Sequence, residues 1–267
     1  MTPPEPHTSP KILTDQRRRQ IVEMLQTQET ISTDDLMERF GVSPMTIWRD
    51  LAVLEENNQL RRIRGGAVRV EVAAIVEPMF SNKRALNRAK KTAIARYAAQ
   101  NFVNDHDILI LEAGTTVSMM VRYLNQHNLT VITNGLATLN EVTPKLSDMT
   151  VMSCGGILRE VSLTLVGPQA IQYFQNIHVN TFFVSATGIT PKDGLTDLNP
   201  LEIQVKQAMA GSASKVVALM DSTKFGVRAF SQLLRPEAIH ALVTDSAAPE
   251  ADLLALSELG IEVHVAH

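Results

Sequence analysis

The chain is short of nearly everything that marks a secreted, membrane-bound or metal-loaded protein. Its 267 residues hold one cysteine, Cys154, which excludes a disulfide framework. That cysteine sits in an apolar strand-like run with no histidine nearby in sequence, so it reads as a core filler rather than a nucleophile. The seven histidines show no metal-ligand spacing, and neither a metal nor a cofactor is expected. No window approaches the roughly 18 unbroken apolar residues of a membrane-spanning helix. The first residues do not join a charged start to an apolar core as a secretion signal would, so a cytoplasmic protein with no membrane partner is predicted. Aromatics are scarce at 4 %, with a single tryptophan, yet 45 % hydrophobic residues are ample for a core. The length suggests two domains.

A large charge of one sign is also missing, but the net charge of -3 conceals a division. Up to Arg96 there are 16 Lys and Arg against 12 Asp and Glu, a balance of +4; from Tyr97 onward there are 9 against 16, a balance of -7. A basic head on an acidic body suits nucleic-acid binding joined to sensing, although an excess of four charges decides nothing alone.

The chain is organised around residues 41–66. Gly41 closes one short helical pattern, and Ser43 followed by Pro44 starts the next, because Ser can cap and Pro needs no donor at the first helical position. In the helix from Pro44, the residues Ile47, Leu51 and Leu54 share a buried face, while Met45, Thr46, Arg49 and Ala52 point outward. After Asn57 and Asn58 come two extended segments, 60–64 and 67–70, hinged at Gly65 and Gly66 and carrying Arg61, Arg62 and Arg64. A helix followed by a basic hairpin is the plan of a winged helix-turn-helix, with the helix in the major groove of double-stranded DNA and the wing along the phosphates. The candidate DNA contacts are Arg19, Ser43, Pro44, Met45, Thr46, Trp48, Arg49, Arg61, Arg62, Arg64, Gly65 and Gly66. Arg17, Arg18 and Arg19 at the start of the helix predicted from Thr14 to about Gln26 oppose its dipole, which fits a phosphate partner or a solvated face equally well. Ile31 is expected in a short extended piece, and Ser32 begins a helix through Leu36, Met37 and Phe40.

The expected layout is a disordered leader over 1–13, the winged domain over 14–70, a linker over 71–86 and a sensing and oligomerising domain over 87–267. The helix from Asn87 to Asn101 presents Ile94, Tyr97 and Ala98 on one face and Arg88, Lys90 and Lys91 on the other, and is read as a joining or self-associating helix. From Asp107, seven apolar runs (ILILEA, LTVITN, MTVMSC, TFFVSA, KVVALMD, IHALVTD and IEVHVA) alternate with helical stretches, which predicts an α/β layered domain with a mostly parallel sheet. The amino-terminal domain is α+β by the same reading. Small-molecule sites in such sheets lie at the carboxyl ends of the strands.

Those ends are rich in glycine and hydroxyl groups. The first carries Glu112, Gly114, Thr115 and Thr116, which read as a phosphate turn or as a tight turn with a capping Thr. The second carries Thr133, Asn134 and Gly135; the third Gly155 and Gly156, followed by Arg159. Further on stand Gly188, Asp193, Thr196 and then Glu202 and Lys206, four apart on one helix face and so either ligand-facing or an exposed pair. Lys224 beside Asp221 is either a ligand contact or a surface salt bridge. Together these residues suit a phosphorylated sugar, polyol or sugar acid: donors for the phosphate, acceptors for hydroxyls and lysine for charge.

FGVSPMTIWRDLAVLEENNQLRRIRGGA in the head and EAGTT, TNG, GG, GLTD and DSTKFG in the body, in this order, are similar to the signatures of the DeoR family of bacterial transcription regulators. The resemblance covers nearly the whole chain from Thr14. It implies a winged-helix reader and a sensor domain related in fold to ribose-5-phosphate isomerase. Such a sensor binds a phosphorylated sugar or related metabolite and usually releases DNA, with Gly114, Thr115 and Thr116 as phosphate loop and Lys206 and Lys224 facing the ligand. Trp48 stands where the family commonly has Arg, Arg64 where His is usual, and Glu112 where Asp is more frequent. The expected function is a repressor of a carbohydrate or sugar-acid catabolic operon, working as a homo-oligomer (dimer or tetramer), cytoplasmic and on the nucleoid when bound to DNA, with no catalytic residues. The rival is an isomerase-like enzyme with an accessory head, using Asp193, Asp197 or Glu202 as a base. Against it stands the apparent lack of a dense acidic cluster, since only Asp193 and Asp197 flank GLT.

Overall fold

The computed structural model describes residues 14–28, 30–56, 59–69, 77–145 and 149–267, and divides after Val76 into two units. In the first, α1 (Thr14–Thr27) is followed by β1 (Thr30–Ser32), α2 (Thr33–Phe40), α3 (Pro44–Glu56), β2 (Leu60–Ile63) and β3 (Gly66–Arg69). The local signals act as their chemistry predicts. Ser32 caps α2 by accepting the Asp35 N–H at 3.0 Å, and Gly41 ends it in the left-handed region at φ 61°. Ile21, Leu25, Leu36, Ile47, Leu51 and Leu54 make one core with Ile31 and Leu60.

Two details differ from the sequence reading. The hairpin turns at Arg64 and Gly65, and Gly66 already belongs to β3. There β1 pairs with β3 as a third, antiparallel strand, and a Cβ at Gly66 would overlap the carbonyl oxygen of Ile31. Glycine is therefore required by the close approach of two backbones rather than by a turn. The expected leader, Asn57, Asn58 and Val70 lie outside the described residues.

The second unit contains α4 (Phe80–Ala85) and α5 (Arg88–Asn101), then a sheet of seven strands. These are β4 (Ile108–Leu111), β5 (Leu129–Thr133), β6 (Met149–Ser153), β9 (Val179–Val184), β12 (Ala213–Leu219), β14 (Ala241–Asp245) and β15 (Glu262–Ala266). All neighbours pair in parallel in the order β15-β14-β12-β9-β4-β5-β6, so every one of the seven apolar runs is a sheet strand. Both faces are covered, as a parallel sheet requires. One core includes side chains of α8 (Pro168–Gln175), α9 (Pro200–Ser212) and α10 (Glu250–Glu258); the other includes those of α5, α6 (Thr115–Met120) and α7 (Leu136–Val142). The chain winds from β4 toward β6 in one direction and from β9 toward β15 in the other. Its reversal point falls between the carboxyl ends of β4 and β9.

Short pieces without a periodic signature complete the unit: the hairpin β7 (Ile157–Arg159) and β8 (Thr164–Val166), and a small sheet of β10 (Gly188–Thr190), β11 (Gly194–Asp197) and β13 (Ser231–Leu234). The expected linker over 71–86 is not one throughout. Residues 71–76 lie outside the described residues, whereas Glu77 to Leu86 belongs to the second unit and buries Phe80. The α5 helix is likewise a layer of the sheet's own core rather than a joining helix, and Lys91, expected on its solvent face, is buried.

Candidate functional sites

In the winged unit, the reading helix is set by its cap. Ser43 Oγ accepts the Thr46 N–H at 3.4 Å and lies 3.0 Å from Thr46 Oγ1, with Pro44 opening the helix. On the opposite side from the core, Met45 is 61 % exposed, Trp48 39 % and Arg49 exposed, whereas Thr46 is half-buried. Asp50 fixes the pitch of this face. It is buried and accepts from Arg17 Nε at 2.6 Å and Arg18 Nε at 2.8 Å, which locks α1 to α3. Arg17 is thus buried in an ion pair rather than turned to solvent, while Arg18 and Arg19 are half-buried and Arg18 is drawn to the same carboxylate. In the wing, Arg61, Arg64 and Gly65 are exposed, while Arg62 is held by Glu55 at 2.5 Å. Burial raises the Glu55 carboxyl, but the Arg62 guanidinium and backbone N–H outweigh it and hold it below the usual range.

In the second unit, the strand-order reversal carries a buried ion cluster. Asn199 caps α9 by accepting from Leu201 N at 3.0 Å and Glu202 N at 3.4 Å, with Pro200 in the first turn, and so sets Glu202 and Lys206 one turn apart. They are not an exposed pair. Lys206 Nζ lies 2.8 Å from Asp197 Oδ2, 3.4 Å from Glu112 Oε2 and 2.9 Å from the Ser185 carbonyl, and Glu202 pairs with Arg159 instead. Glu112 Oε1 takes the Ser185 N–H at 3.0 Å, joining the ends of β4 and β9, and a Cβ on Gly114 would strike it. Burial disfavours charge on Lys206, yet the carboxylates of Asp197, Glu112 and Glu202 raise its affinity for the proton well above the ordinary value. Burial pulls Asp197 upward, but Lys206, the Thr187 hydroxyl (2.6 Å) and the Leu198 N–H hold it below its usual range. For Glu112 burial prevails over Lys206, and its carboxyl is raised. The expectation that no dense acidic cluster is present is overturned: Glu112, Asp197 and Glu202 surround Lys206 with Arg159 adjoining.

Thr115 and Thr116 are buried at the start of α6 beside Gly114. Thr133, Asn134 and Gly135 brace the framework: Thr133 Oγ1 takes the Gly135 N–H at 3.0 Å and Asn134 Oδ1 takes the Ala113 N–H at 3.1 Å. Gly155 and Gly156 form the left-handed turn before β7. Gly188 and Thr196 stitch the small sheet, where Thr196 Oγ1 takes the Ala229 N–H at 2.9 Å. Asp193 is held in the β10–β11 turn by Thr190 and by Arg228 at 3.4 Å, and the cluster does not include it. Cys154 is buried and its thiol is pushed up by burial to about 11, which fits a core residue.

Sequence reasoning missed a second polar group, centred on Lys91. Burial pushes its ammonium down to about 8, Asp221 acts against that, and Lys224 and Lys83 reinforce it. Lys91 Nζ donates to the Lys83 carbonyl; Asn87 Nδ2 reaches Thr223 Oγ1 at 3.2 Å, and Lys90 Nζ reaches Ser222 Oγ at 2.8 Å. Asp221 caps its own turn, taking the Thr223 N–H at 3.1 Å. The missed signal was available, since Lys91 continues the 94, 95, 98 stripe of α5 at i-3 and i-4.

Residues 17–72 match the DeoR-like helix-turn-helix domain and residues 86–246 the DeoR C-terminal sensor domain. The chain belongs to the DeoR family. It is 34 % identical over 94 % of its length to an uncharacterised HTH-type transcriptional regulator of Bacillus subtilis, covering 96 % of that protein. It is also 28 % identical to the glycerol-3-phosphate regulon repressor of Escherichia coli, over 94 % of this chain and 98 % of that one. Ribose 5-phosphate isomerase A of Methanocaldococcus jannaschii aligns over 52 % of this chain and 55 % of its own, at 15 % identity and a TM-score of 0.37. This DeoR-family chain is thus a DNA-binding transcriptional regulator with a layered α/β sensor domain. No helix among the described residues is long and apolar enough to cross a membrane.

Proposed function

We propose that this regulator represses a carbohydrate or sugar-acid catabolic operon and leaves its operator when a phosphorylated sugar, polyol or sugar acid occupies the carboxyl ends of β4 and β9. The observation that carries the reading is Lys206, buried among Glu112, Asp197 and Glu202 at the reversal point of the strand order. A buried carboxylate such as Asp197, which Lys206 holds below its usual range, is a strong acceptor for a ligand hydroxyl. Gly114, Thr115 and Thr116, with Lys91 and Lys224, serve the phosphate. In the head, Thr46 and Arg49 address base edges, Met45 and Trp48 flank them, and Arg61 and Arg64 meet phosphates; a homo-oligomer, dimer or tetramer, presents two heads to a repeated site. Arg159 and Glu202 are engaged with each other, and Asp197 is engaged by Lys206, so the carboxylates act as binding groups rather than as proton shuttles.

The test is release of the protein from its own promoter DNA, followed by anisotropy at fixed salt during titration with phosphorylated sugars and sugar acids beside their unphosphorylated forms. One phosphorylated compound should weaken binding roughly 5- to 150-fold, and Thr115→Ala should blunt it. Arg49→Ala should weaken promoter binding by about 1–3 kcal/mol and leave effector affinity near its original value. Release by unphosphorylated compounds alone would remove the phosphate assignment, and turnover of a pentose or tetrose phosphate would revive the isomerase reading.

A further inference from the structure

The ion cluster does not end at the site. Arg159, in β7, is shared by two carboxylates: Glu202, in the first turn of α9, and Glu77, which its Nη2 meets at 2.7 Å and its Nη1 at 3.4 Å. Ser162 Oγ takes a further bond from the same Nη1 at 3.2 Å. Glu77 is the first described residue of the sensor unit, and only residues 70–76 separate it from Arg69 at the end of β3. The segment that follows Glu77 is tied to the same hairpin a second time, since Phe80 N–H donates to the Val161 carbonyl at 2.8 Å. It is tied next to α5, through Lys91 and the Lys83 carbonyl. One guanidinium therefore touches both a carboxylate of the effector site and the residue at which the chain enters the sensor unit.

We propose that Arg159 is the positioning residue that carries effector occupancy to the DNA-binding head: a ligand that engages Glu202 changes the hold of Arg159 on Glu77, and with it the affinity for DNA. This rests on the reading of Glu202 as part of the effector site. A guanidinium divided between two carboxylates strengthens one pairing when the other is withdrawn, and a ligand hydroxyl bonded to Glu202 withdraws it. By linkage, whatever favours one arrangement at Glu77 favours the same arrangement at Glu202.

The test needs no ligand. Glu202→Gln imitates a site whose carboxylate is taken, Glu77→Gln removes the far end, and the two are combined in the full-length protein. Affinity for its promoter DNA is read at fixed salt, and amide exchange is read at Phe80. The single substitutions should shift DNA affinity in opposite directions, each by roughly 2- to 30-fold, and the double substitution should match Glu77→Gln alone, because Glu202 acts only through Glu77. Exchange at Phe80 should change in Glu202→Gln although that residue lies more than a hundred positions away in sequence. Additive shifts, or an unchanged Phe80 amide, would overturn the proposal. Where Glu202→Gln does not fold, Arg159→Lys replaces it: the charge stays, the two-pronged contact goes, and the DNA shift should equal that of Glu77→Gln. A sugar-phosphate panel without effect would remove the effector reading and leave this cycle intact, whereas an additive cycle with an active panel would remove only the relay.

Discussion

The two units solve the same problem, a buried ion cluster, in opposite ways. In the winged unit one carboxylate, Asp50, sits between two guanidiniums, each within 2.8 Å, and its two oxygens are taken by two partners. In the sensor unit one ammonium, Lys206, sits among three carboxylates, and the nearest two are 2.8 and 3.4 Å away. The first arrangement is closed and serves geometry, because it fixes α1 against α3 so that the exposed face of the reading helix keeps its aim. The second is shared more widely: Glu202 turns to Arg159, Glu112 also takes the Ser185 N–H, and Lys206 donates to the Ser185 carbonyl besides its two nearest carboxylates. That sharing is why the proposed effector site is set at the second cluster, while the first reads as scaffold.

Breaking the closed cluster should have the largest effect. Asp50→Asn leaves Arg17 buried without its counter-charge and should destabilise the winged unit by about 3–5 kcal/mol. Trp48, the single tryptophan, lies in that unit and reports its unfolding by fluorescence, while far-ultraviolet ellipticity should show the sensor unit's transition little changed. Equal losses in both units would mean that the clusters are not independent.

Lys91 sharpens the contrast through pH. Its value in the folded chain, about 8, lies below the 10.5 of an ordinary lysine, so between those values the unfolded chain holds more protons and this group's contribution to stability rises with pH. At pH 7 the buried ammonium is therefore a burden. Lys91→Met should stabilise the sensor unit by roughly 1–2 kcal/mol once loss of the bond to the Lys83 carbonyl is counted. If Lys91 meets the effector's phosphate, effector affinity should fall as pH climbs past about 8, and the substitution should abolish that inflection. A titration of effector binding against pH, in both proteins, decides it.

The smallest effect separates two neighbouring arginines in the wing. Arg61 has no carboxylate partner among the described ion pairs, whereas Arg62 is held by Glu55. Arg61→Ala should lower DNA affinity and reduce the salt slope by about one phosphate contact; Arg62→Ala should change the slope less. Equal slopes would show that Glu55 yields Arg62 to the DNA.

What the sequence disclosed and what it hid follow from range. The reading helix is legible because Ser43, Pro44 and the 47, 51, 54 spacing act within a few residues of one another. The seven sheet strands are legible because burial on both faces demands unbroken apolar runs. The short extended piece at Ile31 was legible as well, but its pairing with β3 was hidden, as were the small strands around β11. Hidden too were the ion clusters. Asp50 lies 33 residues from Arg17, and Glu202 lies 43 from Arg159, so the arginine run at the start of α1 fitted a phosphate partner or a solvated face equally until its buried partner came into view. Lys91 misled for a simpler reason, since a charged residue was assigned to solvent although it continues an apolar stripe.

The strand order has a consequence in time as well as in space. Among the described residues, the winged unit's core draws on positions 21–67 alone, and local elements predominate there. In the sensor unit β4 must wait for β9, and Tyr97 of α5 meets His264 of β15 at 3.0 Å across 167 residues of chain. Contacts of such separation form late, and chains fold from the amino end as they are made. The DNA-binding unit is thus shaped on the ribosome well before the sensor unit is complete. A chain cut short after its wing would carry the complete core of the DNA-binding unit and none of the sensor unit's sheet.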